Sequence, residues 1–200
     1  MNTWMKGTKE FWDQRYLNRK MGWDIGEVSS PLKAYIDQLP SKDLKILVPG
    51  AGNSYEVAYL YKNGFQDVYA LDISEMPLEK FRKEHPDFPV GQLLNIDFFE
   101  LNEIKFDLIL EQTFFCALQP DLREKYARKM QSLLNERGVL AGLLFDFERK
   151  DGGPPYGGNI EEYRSLFSRF FKIKKLERAY NSIPPRQGSE LFFIFENKTN

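Results

Sequence analysis

The 200-residue sequence predicts an α/β protein built on a doubly wound sheet of about seven strands, mostly parallel, with one antiparallel strand near the edge. Three observations carry that expectation. From Leu44 onward, short apolar runs alternate with helical patterns, the signature of strand–helix–strand crossovers. The first apolar run breaks at Pro49-Gly50-Ala51-Gly52, a turn suited to joining a buried strand to a helix. The last two strand patterns follow one another without a helix between them, which calls for an antiparallel member.

Taken in order, residues 1 to 40 are aromatic and charged, without strand-like alternation. Thr8 caps a helix in which Phe11, Trp12, Tyr16 and Leu17 share an apolar face, and a second helix starts at Ser30-Pro31 with Leu32, Tyr35, Ile36 and Leu39 on one side. These two helices are expected to cover an edge or an end of the sheet. LKILV is the first strand, and a helix over 54 to 63 ends at Asn63-Gly64. DVYALD is the second strand. Ser74 caps the helix that follows, through Glu84, and Pro77 is accommodated in its first turn. VGQLLN is a weak third strand and FDLILE a strong fourth. DLREKYARKMQSLLN is the clearest helix, closed by Gly138, and VLAGLLF is the fifth strand. After the loop GGPPYGG, a helix over 160 to 169 leads to FKIKKLERAY and then to LFFIF. The alternating charges of KIKKLER read as a solvated strand face. With no repeat or linker, one domain spans 1–200, its sheet core over 44–196.

Composition narrows the chemistry. Lys and Arg total 28 against 29 Asp and Glu, a net charge of −1, so no long-range field favours nucleic acid or an anionic membrane. Cys116 and His85 are each the sole residue of their kind, which rules out an intramolecular disulfide and a Cys- or His-rich metal cluster and weighs against a Ser-His-Asp triad. Cys116 reads as a small buried hydrophobe and His85 as surface. The N-terminus lacks the apolar run of a signal peptide, so a cytoplasmic location is expected, with no metal and no membrane partner.

A buried strand ending in Gly50-x-Gly52 and opening a helix lets the backbone approach a nucleotide-like ligand. The third glycine of the dinucleotide fingerprint is missing, with Ser54 in its place. Asp72, at the end of the second strand and twenty residues on, stands where a carboxylate accepts from ribose hydroxyls. At the end of the third strand, Asp97 is set to accept from an adenine amino group and Phe98 to pack on the ring, while Phe99 is expected in the core. A plainer account has the glycines making a tight turn, Asp72 capping a helix and Phe98 in the core. Three successive strand ends supplying a turn and two acids favour the ligand.

Together GWDIG (22–26), LVPGAGNSYEV (47–57), ALDIS (70–74), DFFEL (97–101), FDLILEQTFFCALQP (106–120) and GGPPY (152–156) resemble the thiopurine S-methyltransferase superfamily, most of all its thiol and halide methyltransferase branch. The resemblance runs from about Phe11 to the last strand. It implies a Rossmann-like methyltransferase fold, S-adenosylmethionine as donor with S-adenosylhomocysteine as product, a small-molecule acceptor, and a monomer. It also implies that the N-terminal segment, 1–40, forms a helical lid over donor and acceptor. Carried over, Trp12, Tyr16 and Trp23 match lid aromatics. Gly50, Gly52, Asp72, Ile73, Asp97 and Phe98 match donor-binding positions, and Tyr156 matches a tyrosine near the acceptor. Gln112, also on the donor side, stands where plant halide-methylating relatives tend to have tyrosine, which points away from halide as the acceptor.

Displacement on a sulfonium methyl needs alignment more than a general base, in keeping with a chain that offers no obvious dyad. The expected reaction is transfer of the methyl group to a thiol or hydrogen sulfide. Halides, thiocyanate, thiopurines and selenium or tellurium oxyanions stay open as acceptors. A nicotinamide-dependent dehydrogenase also uses a glycine turn and a ribose acid, but the missing glycine and the absence of a Tyr-x-x-x-Lys set argue against it. A donor-binding protein without turnover is weighed against by Trp12, Trp23 and Tyr156.

Overall fold

In the computed structural model, which describes residues 6–148 and 152–198, seven strands form one sheet in the order β3-β2-β1-β4-β5-β7-β6. They are β1 (Ile46–Pro49), β2 (Val68–Leu71), β3 (Leu93–Leu94), β4 (Phe106–Glu111), β5 (Leu134–Phe145), β6 (Phe171–Arg178) and β7 (Glu190–Asn197). The first five pair in parallel, and β7 runs antiparallel to both β5 and β6. One strand therefore opposes the rest, second from the edge, as the helix-free final pair requires. Residues 1–5 of the N-terminal segment lie outside the described residues.

Alternation along the parallel strands divides the core in two. Ile46, Val48, Leu108 and Leu110 face α2 (Ser30–Ile36), α3 (Tyr55–Lys62) and α4 (Glu75–Glu84), whose Leu32, Leu60 and Phe81 are buried against them. Leu47 and Ile109 face the opposite way, toward α5 (Arg123–Leu133) and α6 (Ile160–Phe167). There Tyr126 and Phe167 join Phe193 and Phe195 of β7 in an aromatic cluster. Both sheet faces are covered, which is why β1 is buried at every position. Edge strand β6 instead exposes Lys172 and Lys174 on alternate residues. No helix among the described residues is long and apolar enough to cross a membrane.

The structure departs from the sequence expectations in four places, each for a local reason. Helix α1 (Lys9–Leu17) is capped by the Thr8 hydroxyl as expected, but buries no residue fully and leaves Leu17 60% exposed. Its aromatic side faces a cavity instead of the sheet. Ser74 has the extended backbone of an N-cap, yet its hydroxyl turns away to donate to Asp13 Oδ1 at 2.6 Å. Helix α5 stops at Leu133, and β5 begins one residue later, so Gly138 lies inside a strand. Residues 135–138 bulge there, with Arg137 at φ 61°, before pairing resumes at Leu108 and Val139. The third strand shrinks to two residues because Val90–Gln92 forms a 3₁₀ turn.

Candidate functional site

The parallel strands end on one side of the sheet, where α1 and the loop after it lie over a cavity of about 510 Å³. The glycine turn after β1 forms its floor. Gly50 and Gly52 both take left-handed backbone conformations, φ 58° and 52°. At Gly50 the turn is also sterically closed, since a Cβ would strike the Phe114 ring.

Asp72 ties this turn to the next strand end. It is only 6% exposed and makes no ion pair among the described residues. Its Oδ2 accepts from the Gly52 N–H and its Oδ1 from the Ser74 N–H, each at 2.9 Å. Burial pushes its carboxyl up to about 6, the two backbone donors pull the other way, and Asp13 adds a further push upward. Each oxygen keeps a lone pair, and the carboxylate lines the cavity. Asn95 Nδ2 fixes the backbone beside it by donating to the carbonyls of Asp72 and Ile73. At the next strand end, Asp97 Oδ1 accepts from the Phe99 N–H at 2.8 Å, and Asp97 also lines the cavity.

Three aromatic side chains close the lid side. Trp23 meets Trp12 and Tyr16 edge-on, with ring centres 5.4 and 5.7 Å apart. Burial first, then the fields of Asp72, Asp24 and Asp13, hold the Tyr16 hydroxyl well above the ordinary phenol range, so it stays protonated. Three polar ties hold the segment down. Asp13 accepts from Ser74, Asp24 accepts from Asn53 Nδ2 at 2.5 Å, and Arg186 Nη2 donates to the Trp23 carbonyl at 2.6 Å. Arg186 is itself paired with the buried Glu190 at 3.3 Å.

The cavity gathers Trp12, Tyr16 and Trp23 from the N-terminal segment. It also gathers Gly50, Asp72, Ile73, Asp97 and Phe98 from the strand ends. Gly52 and Gln112 border a smaller recess behind the glycine turn, where Gln112 Oε1 is buried without a hydrogen-bond partner. Tyr156 is not in the cavity wall. Its ring packs at Gly153, its N–H donates to the Cys116 carbonyl, and Arg123 donates to its carbonyl. Its neighbours Pro154 and Pro155 reach the wall instead. Phe98 is the more buried of its pair, among Phe114 and Tyr126, while Phe99, expected in the core, lines the cavity with Lys125 over its ring. The Cys116 thiol is held well above its usual range, by burial first and then by Glu111. This is poor ground for a nucleophile.

Sequence reasoning missed Glu111. Fully buried at the end of β4, it accepts from the Phe114 and Phe115 N–H groups and, at 2.5 Å, from the Tyr126 hydroxyl. Burial pushes its carboxyl up to about 7 against those three donors. It thereby sets the loop that puts Phe114 over Gly50. The available signal was an acid closing an otherwise largely apolar strand. Among the described residues no cluster of His, Cys, Asp and Glu is placed to hold a metal ion.

The model of the thiopurine S-methyltransferase family matches residues 7–199. A probable thiol methyltransferase of Arabidopsis thaliana is 30% identical over 184 residues, covering 90% of this chain and 81% of that protein. Thiocyanate methyltransferase 1 of Brassica oleracea is 32% identical over 186 residues, with the same coverage. Among solved structures, 1,6-didemethyltoxoflavin-N1-methyltransferase of Burkholderia thailandensis superposes with a TM-score of 0.77 over 96% of this chain and 87% of its own. At 18% identity that likeness speaks for the fold alone.

Replacing Glu111 by Ala strands three donors in the core, and we expect a loss of about 3 to 5 kcal/mol of stability in denaturant titrations. A loss below about 1 kcal/mol would mean that the loop does not depend on this carboxylate.

Proposed function

The chain belongs to the thiopurine S-methyltransferase family and is an S-adenosylmethionine-dependent methyltransferase, and we propose that it methylates sulfur in a small thiol or hydrogen sulfide. In this reading the chain is one methyltransferase domain, with residues 1–40 as the lid on a core over 44–196. The observation that carries the site assignment is the convergence of two strand-end acids, a glycine turn and three lid aromatics on one cavity.

Those residues fit the donor. Asp72 is an uncompensated buried acceptor suited to the ribose hydroxyls, and Asp97 offers its second oxygen toward an adenine edge beside Phe98 and Phe99. When bound, S-adenosylmethionine supplies a methyl group on a positive sulfur, already activated for displacement. Trp12, Tyr16 and Trp23 present ring faces and edges on the lid side, each cation contact worth about 0.5 to 2 kcal/mol, and they exclude water. A free thiol ionises near about pH 8.5, so the chain needs no dedicated base; its part is to hold the nucleophile in line with the methyl group. Pro154 and Pro155 border the acceptor end, with Tyr156 bracing that loop through the Cys116 carbonyl. Gln112 lies behind the glycine turn, outside the main cavity. The acceptor assignment draws on the thiol and thiocyanate methyltransferases among the relatives and on the apolar Pro154–Pro155 wall, suited to a soft nucleophile.

An acceptor panel scored by release of S-adenosylhomocysteine tests this reading. Hydrosulfide and small thiols are expected to turn over fastest, whereas faster turnover of iodide or thiocyanate, or none on any acceptor, would refute it. Affinity for S-adenosylhomocysteine should also depend on pH. Hydroxyl donors favour ionised Asp72, so binding expels its proton. Affinity then falls by up to about tenfold per unit below pH 6 and is level above about pH 7. Asp72→Asn should bind weakly with a flat profile; an unchanged profile in that variant would assign the titration elsewhere.

A further inference from the structure

Arg15 is a cation in the cavity wall that makes no ion pair among the described residues. It projects from α1 between Trp12 and Tyr16 in sequence, and its guanidinium carbon lies 5.3 Å from the Phe11 ring centre and 5.5 Å from that of Trp23. Its Nε is buried with no hydrogen-bond partner, and among the described residues the guanidinium enters no ion pair. Of the other charged groups in the wall, Lys6 stands off beside Gln119, and the rest are engaged. Arg186 is spent on Glu190 and the Trp23 carbonyl, and Lys125 sits over the Phe99 ring. Asp24 accepts from Asn53 and from the Gly26 N–H. An unsatisfied N–H on a guanidinium wedged against two rings is costly, and the cost is recovered when an acceptor arrives from outside the chain.

The position of Arg15 says which acceptor. The sheet order sets Asp97, Asp72 and the glycine turn in a row along the cavity. Trp23 borders the far end of that row, its indole nitrogen 3.8 Å from where a Cβ on Gly52 would stand. Arg15 packs on Trp23, so it lies past the glycine turn, away from the adenine-side acid. On the reading of this cavity as the donor site, on which the inference rests, the two acids serve the adenosyl group and the aromatic trio serves the sulfonium. The donor's one anionic group then calls for a cation at the glycine-turn end, where Arg15 packs on Trp23 while Lys6 lies by Gln119. We propose that Arg15 binds the α-carboxylate of the methyl donor through the planar fork of its guanidinium, and so selects full amino-acid donors over truncated adenosyl thioethers.

Calorimetry on the intact chain with two ligands tests this without turnover: S-adenosylhomocysteine, and 5′-methylthioadenosine, which lacks the amino-acid portion. Arg15→Met keeps an apolar stem on the rings. It should weaken S-adenosylhomocysteine by roughly 10- to 100-fold and leave 5′-methylthioadenosine within about twofold. Arg15→Lys should recover part of the loss, as a point charge without the fork. Equal weakening of both ligands would make Arg15 a packing residue, and no change in either would remove it from the site; each result overturns the proposal. If the wild-type chain binds neither ligand, the donor-site reading falls and takes this inference with it.

Discussion

The site depends on one buried carboxylate that meets backbone N–H groups from two directions. Asp72 takes the Gly52 amide on one oxygen and the Ser74 amide on the other, and so fixes the glycine turn after β1 relative to the start of α4. Desolvating an anion without a cation is expensive, and two backbone bonds offset only part of the cost, which is why the carboxyl rises to about 6. Natural chains keep such strain where a ligand relieves it. The constraint reaches the lid as well, because the Ser74 hydroxyl, freed from capping, holds Asp13 on α1.

The remaining architecture supports that arrangement from three sides. Below it, Glu111 gathers the amides of Phe114 and Phe115 and sets the ring that blocks any side chain at Gly50. Above it, Trp12 and Tyr16 each meet Trp23 edge to face, so that moving Trp23 disturbs both. From the C-terminal segment, the Arg186–Glu190 pair clasps the Trp23 carbonyl. Lid, strand ends and final strand thus meet through polar bonds that are short in space and long in sequence, 61 residues apart for Asp13 and Ser74 and 163 for Trp23 and Arg186.

That separation explains what the sequence could and could not disclose. The number of strands and the lone antiparallel member were readable because strands buried on both faces are written as apolar runs, and because no helix separates the last two. Asp72 and Asp97 were readable because topology alone sends successive strand ends to one crevice. Gly138 was misread as a helix stop because a bulged strand and a helix end use the same residue type. The hydroxyl of Ser74 went to Asp13 instead of its own helix, a choice that local propensity does not encode. Glu111 and Arg15 depend on neighbours brought from elsewhere in the chain, which their local sequence does not name. Tyr156 and Gln112 carry a resemblance in sequence, yet their side chains lie outside the main cavity wall.

The central claim is that one crevice at the ends of β1, β2 and β3 takes an adenosyl group. A crystal structure of the chain soaked with S-adenosylhomocysteine addresses it directly. The account predicts ribose hydroxyls against the Asp72 carboxylate, adenine beside Asp97 and Phe99, and the thioether sulfur under the tryptophans. Nucleoside density anywhere else on the molecule, with this crevice holding only solvent, would contradict it.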